Sequence, residues 1–178
     1  MNFEEKTIST KNVFKGRIIN VNVDTVELPN GKTAERELVL HNGGVGILAF
    51  DEDGKVLMVK QYRKPYNEMV LEIPAGKLEI GEAPLEAGIR ELREETGYIA
   101  KKMELLFTLY PTPGYCSEKL YIYFASEVEK ANQELDEDEF LEVYRYSLDE
   151  LSEMLERNEI NDAKTVAAVL KAKLIKSN

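Results

Sequence analysis

Between Pro84 and Gly97 a proline suited to a first helical turn and a glycine suited to the position just past a helix enclose a stretch that has to fold as a helix. At about 100° per residue, Glu91, Glu94 and Glu95 then share an arc of roughly 100° and form one acidic face. Like charges three and four residues apart repel, so this face costs stability. Leu85, Ile89, Leu92 and Thr96 make a separate stripe, expected to anchor the helix on a sheet while the carboxylates point into a cleft. Hard divalent cations resolve the repulsion, because they take oxygen ligands and neutralise the cluster. The alternative is a solvated surface with Arg90 and Arg93 paired to Glu86 and Glu94, the ordinary fate of a charged helix face.

Around this helix the sequence reads mainly as strands. The β-branched residues between Asn12 and Glu27 predict one strand, and the turn Leu28-Pro29-Asn30-Gly31 leads into a second over Thr33 to His41. A further hairpin is predicted from Val45 to Phe50 and Lys55 to Tyr62, with short strands at Met69 to Ile73, Glu104 to Tyr110, Lys119 to Ala125 and Leu141 to Tyr146. A second helix opens on a capping box, Ser147 with Glu150. A third runs from about Ala163 to Lys173, with Val166, Val169, Leu170 and Leu174 at helical spacing. Strands interspersed with three helices, without strict alternation, indicate an α+β layered fold.

A chain of 178 residues, 43% hydrophobic and 31% charged, can bury one substantial core and is expected to form one domain with an N-terminal extension. Its start, Met1 to Lys11, mixes charges with polar residues where a signal peptide needs an apolar core, so no membrane partner is expected. The lone Cys116 cannot form an internal disulfide and fits a cytoplasmic setting. A formal charge of −10 argues against general nucleic-acid binding, which needs a basic surface. Anionic small molecules then need local help, from metal ions or from a few convergent arginines.

The segment Gly76 to Tyr98, GKLEIGEAPLEAGIRELREETGY, resembles the Nudix box: a glycine, five residues, Glu, seven residues, then Arg-Glu-apolar-x-Glu-Glu-x-Gly-apolar. The matching positions are Gly76, Glu82, Arg90, Glu91, Leu92, Glu94, Glu95, Gly97 and Tyr98, the last an aromatic where the pattern has an aliphatic residue. The resemblance, which runs from about Asn12 to the last helix, implies a Nudix fold, with mixed β-sheets sandwiched between helices in an α/β/α arrangement. It further implies an N-terminal antiparallel extension over residues 1–42, serving dimerisation and substrate binding, and a hydrolase domain over 43–178.

By residue-by-residue match, Glu91 and Glu95 become the main metal ligands, Glu94 a third or bridging ligand, and the Ala75 carbonyl a further one. Arg90 and Glu82 become structural, orienting the glutamates and the loop. The cofactor implied is Mg²⁺, with Mn²⁺ as the alternative; it screens a pyrophosphate and lowers the pKa of bound water. The proton of that water needs a base outside the ligand set. The acidic run Glu134 to Glu139 resembles the loop that supplies it in the ADP-ribose pyrophosphatase branch, making Glu137 the first choice of base and Glu139 a further ligand or the alternative base.

Substrate choice is read from the surroundings of the box. Pro113, sixteen positions after Gly97, resembles the proline that marks ADP-ribose pyrophosphatases, and Glu118 matches a residue contacting the terminal ribose. Arg36 and Arg63 match diphosphate-binding arginines, Arg17 and Ile18 adenine contacts, and Lys77 another contact position, while the lone His41 reads as a surface histidine. The resemblance therefore implies hydrolysis of ADP-ribose to AMP and ribose 5-phosphate, by a homodimer built through the N-terminal strands. Another nucleoside diphosphate sugar, such as GDP-mannose, or a non-catalytic sensing module are the alternatives.

Overall fold

The computed structural model describes residues 2–137 and 139–176, with Lys176 described by its backbone alone. Asp138, inside the acidic run, lies outside the described residues. The chain divides into two compact units: the residues up to Gly43 with Tyr110–Lys119, and the remainder.

The first unit is an antiparallel meander of β1 (Lys6–Lys15), β2 (Ile19–Glu27) and β3 (Thr33–His41), in the order β1-β2-β3. The single strand expected over Asn12 to Glu27 is in fact two. The chain reverses at Gly16, whose N–H donates to the Ile19 carbonyl at 2.9 Å, and β1 reaches back to Lys6. The outer half of β1 gives no strand signal because Lys6, Thr7, Ser9, Thr10 and Lys11 carry no apolar alternation, and the whole strand is exposed. The expected turn at Leu28 to Gly31 is present, closed by the Gly31 N–H on the Leu28 carbonyl. The 110–119 segment joins this unit along β3: Val39 donates to the Tyr115 carbonyl and accepts from the Ser117 N–H.

In the second unit, β4 (Gly44–Ala49), β7 (Ala75–Lys77), β8 (Tyr98–Leu109) and β9 (Leu120–Lys130) form a mixed sheet ordered β7-β4-β9-β8, with β4 and β9 parallel. A second, antiparallel sheet is ordered β10-β5-β6, from β5 (Val56–Arg63), β6 (Glu68–Glu72) and β10 (Leu141–Tyr146). Successive side chains on a strand alternate faces. Val45, Ile47 and Ala49 therefore pack in one cluster with Ala87 and Leu92 of α1 (Pro84–Thr96), while Leu48 packs in another with α2 (Leu148–Glu156) and α3 (Ala163–Lys176). Both faces of β4 are covered, which is why it reads as a continuous apolar run and is buried throughout. This is the α/β/α layering that the resemblance implies. The Ser147–Glu150 capping box that opens α2 is formed in both directions.

The stripe expected to anchor α1 is only half right. Leu92 is fully buried and Thr96 nearly so, but Leu85 and Ile89 remain 42% and 39% exposed. The inward face instead carries Ala87, Gly88, Leu92 and the two glutamates Glu91 and Glu95. Small residues let the helix approach closely, with Gly88 beside Met103, Tyr123 and Ile47. On α3 too the inward residues are Thr165, Ala168, Val169 and Ala172, and Leu170 and Leu174 face outward.

Leu92 therefore carries most of the apolar anchoring of α1. Leu92→Ala is expected to lower the unfolding free energy by about 3 kcal/mol, and Leu85→Ala by less than about 1 kcal/mol. Urea denaturation of the two variants compares them directly, and equal losses would show that the anchoring stripe is misassigned.

Candidate active site

The acidic helix ends where Gly97 takes a left-handed conformation, φ 70°, and its N–H caps the Arg93 carbonyl at 2.9 Å. Its last two turns present Glu91, Glu94 and Glu95. Glu91 and Glu95 are 7% and 2% exposed, so the acidic face is turned inward and is not a solvated surface.

Arg90 binds the cluster together. Its guanidinium donates to both Glu82 oxygens, at 2.9 and 3.1 Å, to Glu91 at 2.8 Å and to Glu94 at 3.0 Å. One planar cation thus bonds three carboxylates at once. Glu82 also accepts the Glu79 N–H, which ties the loop before the helix to the same web. Glycine at position 76 leaves room for Glu91: a Cβ there would sit 1.9 Å from a Glu91 carboxylate oxygen and displace it.

Ala75 stands opposite Gly46 in the β4–β7 pair, while Ile47 donates to the Pro74 carbonyl at 2.8 Å. Bonded and non-bonded positions alternate along an antiparallel ladder, so Ala75 turns its N–H and C=O away from β4. Since β7 is the sheet edge, both groups point off the sheet. The N–H lands on Glu95 at 2.9 Å, and the carbonyl leaves the strand on that same side.

Burial pushes the Glu95 carboxyl up to about 8; the Ala75 N–H opposes the rise, and the charges of Glu91 and Glu139 add to it. Burial also raises Glu91, against Arg90 and with Glu94 and Glu139. Glu139 is therefore near enough to act electrostatically on both, whereas Glu137 sits exposed in a turn. The stretch before this loop is fastened to the end of α1. Gln133 donates to the Glu95 carbonyl at 2.5 Å, the Glu134 N–H to the Glu94 carbonyl, and Arg93 pairs with Glu134 at 2.9 Å.

Among the described residues, no three His, Cys, Asp or Glu side chains are gathered as a cation cage; Arg90 holds Glu91 and Glu94 by charge instead. The donor set nonetheless fits a hard divalent ion. It consists only of oxygens, and two of its carboxylates are buried with raised pKa, short of positive charge.

The residues expected to touch substrate are divided between the units. Arg17 and Ile18 are exposed at the β1–β2 turn, Arg36 forks onto Glu5, and Pro113 is exposed. Glu118 lies 3.7 Å from His41 Nδ1. His41 is not the surface residue expected: its side chain is only 11% exposed and its Nδ1 accepts the Gly43 N–H. In the second unit Lys77 is exposed on β7, and Arg63 donates through Nε and Nη2 to the two oxygens of Glu72, at 2.5 and 2.7 Å. Glu72, Asp162, Lys164, Thr165 and Gln133 are not singled out by the sequence. The signals it carries for them are a lone charge inside the apolar run Val70 to Ile73, and an aspartate three residues before Thr165 at a helix start.

A group whose folded pKa lies above its ordinary 4.5 favours the folded state fully at low pH, and that contribution is lost as pH rises through the folded value. The metal-free protein should therefore lose stability between pH 4.5 and about 8, and Glu95→Gln, which mimics the protonated form, should flatten that slope. Thermal melts across this window in a chelator check it; identical slopes for the two proteins would refute the assignment.

The NUDIX domain family matches residues 40–169, and the nucleoside diphosphate sugar hydrolase N-terminal domain family matches residues 5–39. The chain is 46% identical over 168 residues to an ADP-ribose pyrophosphatase of Bacillus subtilis, covering 93% of this chain and 91% of that protein. It is also 46% identical to the methanol dehydrogenase activator of Bacillus methanolicus, covering 94% and 91%. Its structure superposes on a crystal structure of an ADP compounds hydrolase with a TM-score of 0.86 and 26% identity, covering 97% of this chain and 95% of that one. With every fixed position of the box present and its carboxylates brought together by Arg90, the chain belongs to the Nudix hydrolase family.

Proposed function

We propose that this protein hydrolyses the pyrophosphate of ADP-ribose, giving AMP and ribose 5-phosphate, with Mg²⁺ as its cofactor and Mn²⁺ as a substitute. The observation carrying this reading is the intact set of Glu91, Glu94 and Glu95 beside an outward Ala75 carbonyl, in a chain 46% identical to an ADP-ribose pyrophosphatase. Divalent cations, when bound, screen the diphosphate oxygens and acidify water. Glu91, Glu94, Glu95 and the Ala75 carbonyl would hold them, with Glu139 as a further ligand. Arg90 keeps the carboxylates aligned through its bonds to Glu82, Glu91 and Glu94. Glu137, exposed in its turn, is the proposed general base, accepting the proton of the attacking water. Arg63, Arg36 and Lys77 supply positive charge for the diphosphate, Glu118 a ribose contact, and Arg17, Ile18 and Pro113 complete the substrate contacts. A cytoplasmic setting is supported by the single thiol, Cys116.

A second reading, regulation of a partner enzyme, is favoured by the name of the Bacillus methanolicus relative. It does not displace hydrolysis, because a module that only senses a ligand has no need of a full carboxylate set.

Phosphate-free protein with Mg²⁺ is expected to release AMP from ADP-ribose faster than it cleaves GDP-mannose, NADH or dinucleoside polyphosphates. Glu95→Gln should lower kcat by at least roughly a thousandfold while the fold persists, the scale of several kcal/mol of metal assistance. Glu137→Gln should lower kcat without weakening metal binding, and Glu139→Gln should weaken metal binding. Full turnover by Glu95→Gln would remove the metal assignment.

The quaternary proposal is a homodimer through the N-terminal sheet. It is supported by β1, an edge strand exposed along its whole length and bearing Ile8, Val13 and Phe14 at 50% exposure or more. Sedimentation or light scattering should give twice the chain mass of 20.3 kDa, and a monomer at every concentration would end this proposal.

A further inference from the structure

Apart from the acidic helix, the second unit buries a second group of charges, around Glu72 at the end of β6. Glu72 is 2% exposed. Its carboxylate takes the fork of Arg63 on one side and the ammonium of Lys164, itself 8% exposed, on the other. Burial alone would raise this carboxyl, but Arg63 and Lys164 hold it below its ordinary range. Lys164 also donates to Asp162 at 3.0 Å. Asp162 caps the start of α3, accepting the Thr165 N–H at 3.0 Å and the Thr165 hydroxyl at 2.6 Å. The Thr165 oxygen in turn accepts the Ile73 N–H at 2.9 Å. Two consecutive residues of α3, Lys164 and Thr165, thus grip two consecutive residues of the strand end, Glu72 and Ile73.

The grip matters because Ile73 leads directly into Pro74 and Ala75. Pro74 is held by the Ile47 N–H and Ala75 by Glu95, so three successive residues are pinned by α3, β4 and α1 in turn. Pro74 has no N–H and a fixed φ, so the segment has little freedom left once its two ends are bonded. A buried N–H without a partner is costly, and the Ile73 N–H has a side chain, not a ladder, as its acceptor.

We propose that Thr165 and Lys164 are positioning residues that fix the Ala75 carbonyl relative to Glu95 and so set the affinity for the divalent cation, without touching metal or substrate; this rests on the reading of Ala75 and Glu95 as ligands. Groups one step removed from a ligand set typically change metal affinity by about 10–100-fold when lost.

The test is a Mn²⁺ titration of the substrate-free protein, reading free Mn²⁺ by electron paramagnetic resonance, alongside a thermal melt in chelator. Thr165→Val keeps shape and removes the acceptor; its Mn²⁺ Kd should rise about 10–100-fold, and Thr165→Ser should restore it. In turnover the same variant should need more Mg²⁺ for half-activation, with KM for substrate at saturating Mg²⁺ unchanged. A lowered melting temperature with wild-type Mn²⁺ affinity would reduce Thr165 to a structural residue and overturn the proposal. Should Thr165→Val not fold, Lys164→Gln carries the Mn²⁺ titration in its place, since it leaves Thr165 and its cap intact; KM is not read in this variant, because Lys164 shares Glu72 with Arg63, and a wild-type Mn²⁺ Kd in it overturns the proposal. Failure of the wild-type protein itself to bind Mn²⁺ would instead refute the ligand reading beneath the proposal.

Discussion

The structure depends on burying two carboxylates, Glu91 and Glu95, on the inward face of one helix. An isolated buried carboxylate costs several kcal/mol, and two side by side cost more. Three features make the burial tolerable. Arg90 lies across the cluster and bonds Glu82, Glu91 and Glu94 at once. The Ala75 N–H supplies a donor to Glu95. Glu95 also has a pKa raised far enough to keep a proton near neutrality. The arrangement remains short of positive charge, a deficit that the proposed divalent cation would meet.

That burial dictates other local choices. A side chain at position 76 would displace the Glu91 carboxylate, which occupies the space where that side chain would start. The short β7 serves to bring an unladdered backbone edge to Glu95, since alternate residues of a sheet-edge strand face away from their neighbour. Apolar anchoring then falls to Leu92, Ala87 and the close approach at Gly88, because the inward arc that larger side chains would use is taken by glutamates. Leu85 and Ile89 are left outside for the same reason.

The features legible in the sequence are local ones. The helix bounds at Pro84 and Gly97, the capping box at Ser147 and the buried run of β4 depend on residues within one turn or one strand of each other. The spacing of Glu91, Glu94 and Glu95 shows a shared face, but not which way it points. Periodicity treats a carboxylate arc and an apolar stripe as opposites, so it sends Leu85 and Ile89 inward and is wrong. The three residues of β7 carry too short a pattern to register. The bonds from Lys164 to Glu72 and from Ile73 to Thr165 each join residues 92 positions apart, and no local pattern encodes such a pairing. The split of β1 from β2 is hidden because the turn at Gly16 lacks the proline or asparagine-glycine signature of the next turn, at Leu28 to Gly31.

A chain carrying a net charge of −10 faces a specific difficulty with an anionic ligand, and the role proposed for Arg63 and Arg36 is one way of meeting it. Arg63 and Arg36 are each forked onto one glutamate through Nε and Nη2. Pairing reduces their net field, yet it removes most of the side-chain freedom that binding would otherwise have to freeze. For Arg63 a second cation, Lys164, shares the same glutamate, so Glu72 holds the guanidinium in place while only part of its charge is neutralised in doing so. Among the described residues, Glu5 holds Arg36 without a second cation, and Glu5 is itself exposed where Glu72 is buried, although the two arginine side chains are about equally exposed. The two arginines therefore differ in preorganisation: Arg63 is set by a buried network that continues to Ala75, and Arg36 by one surface ion pair that a competing anion can open.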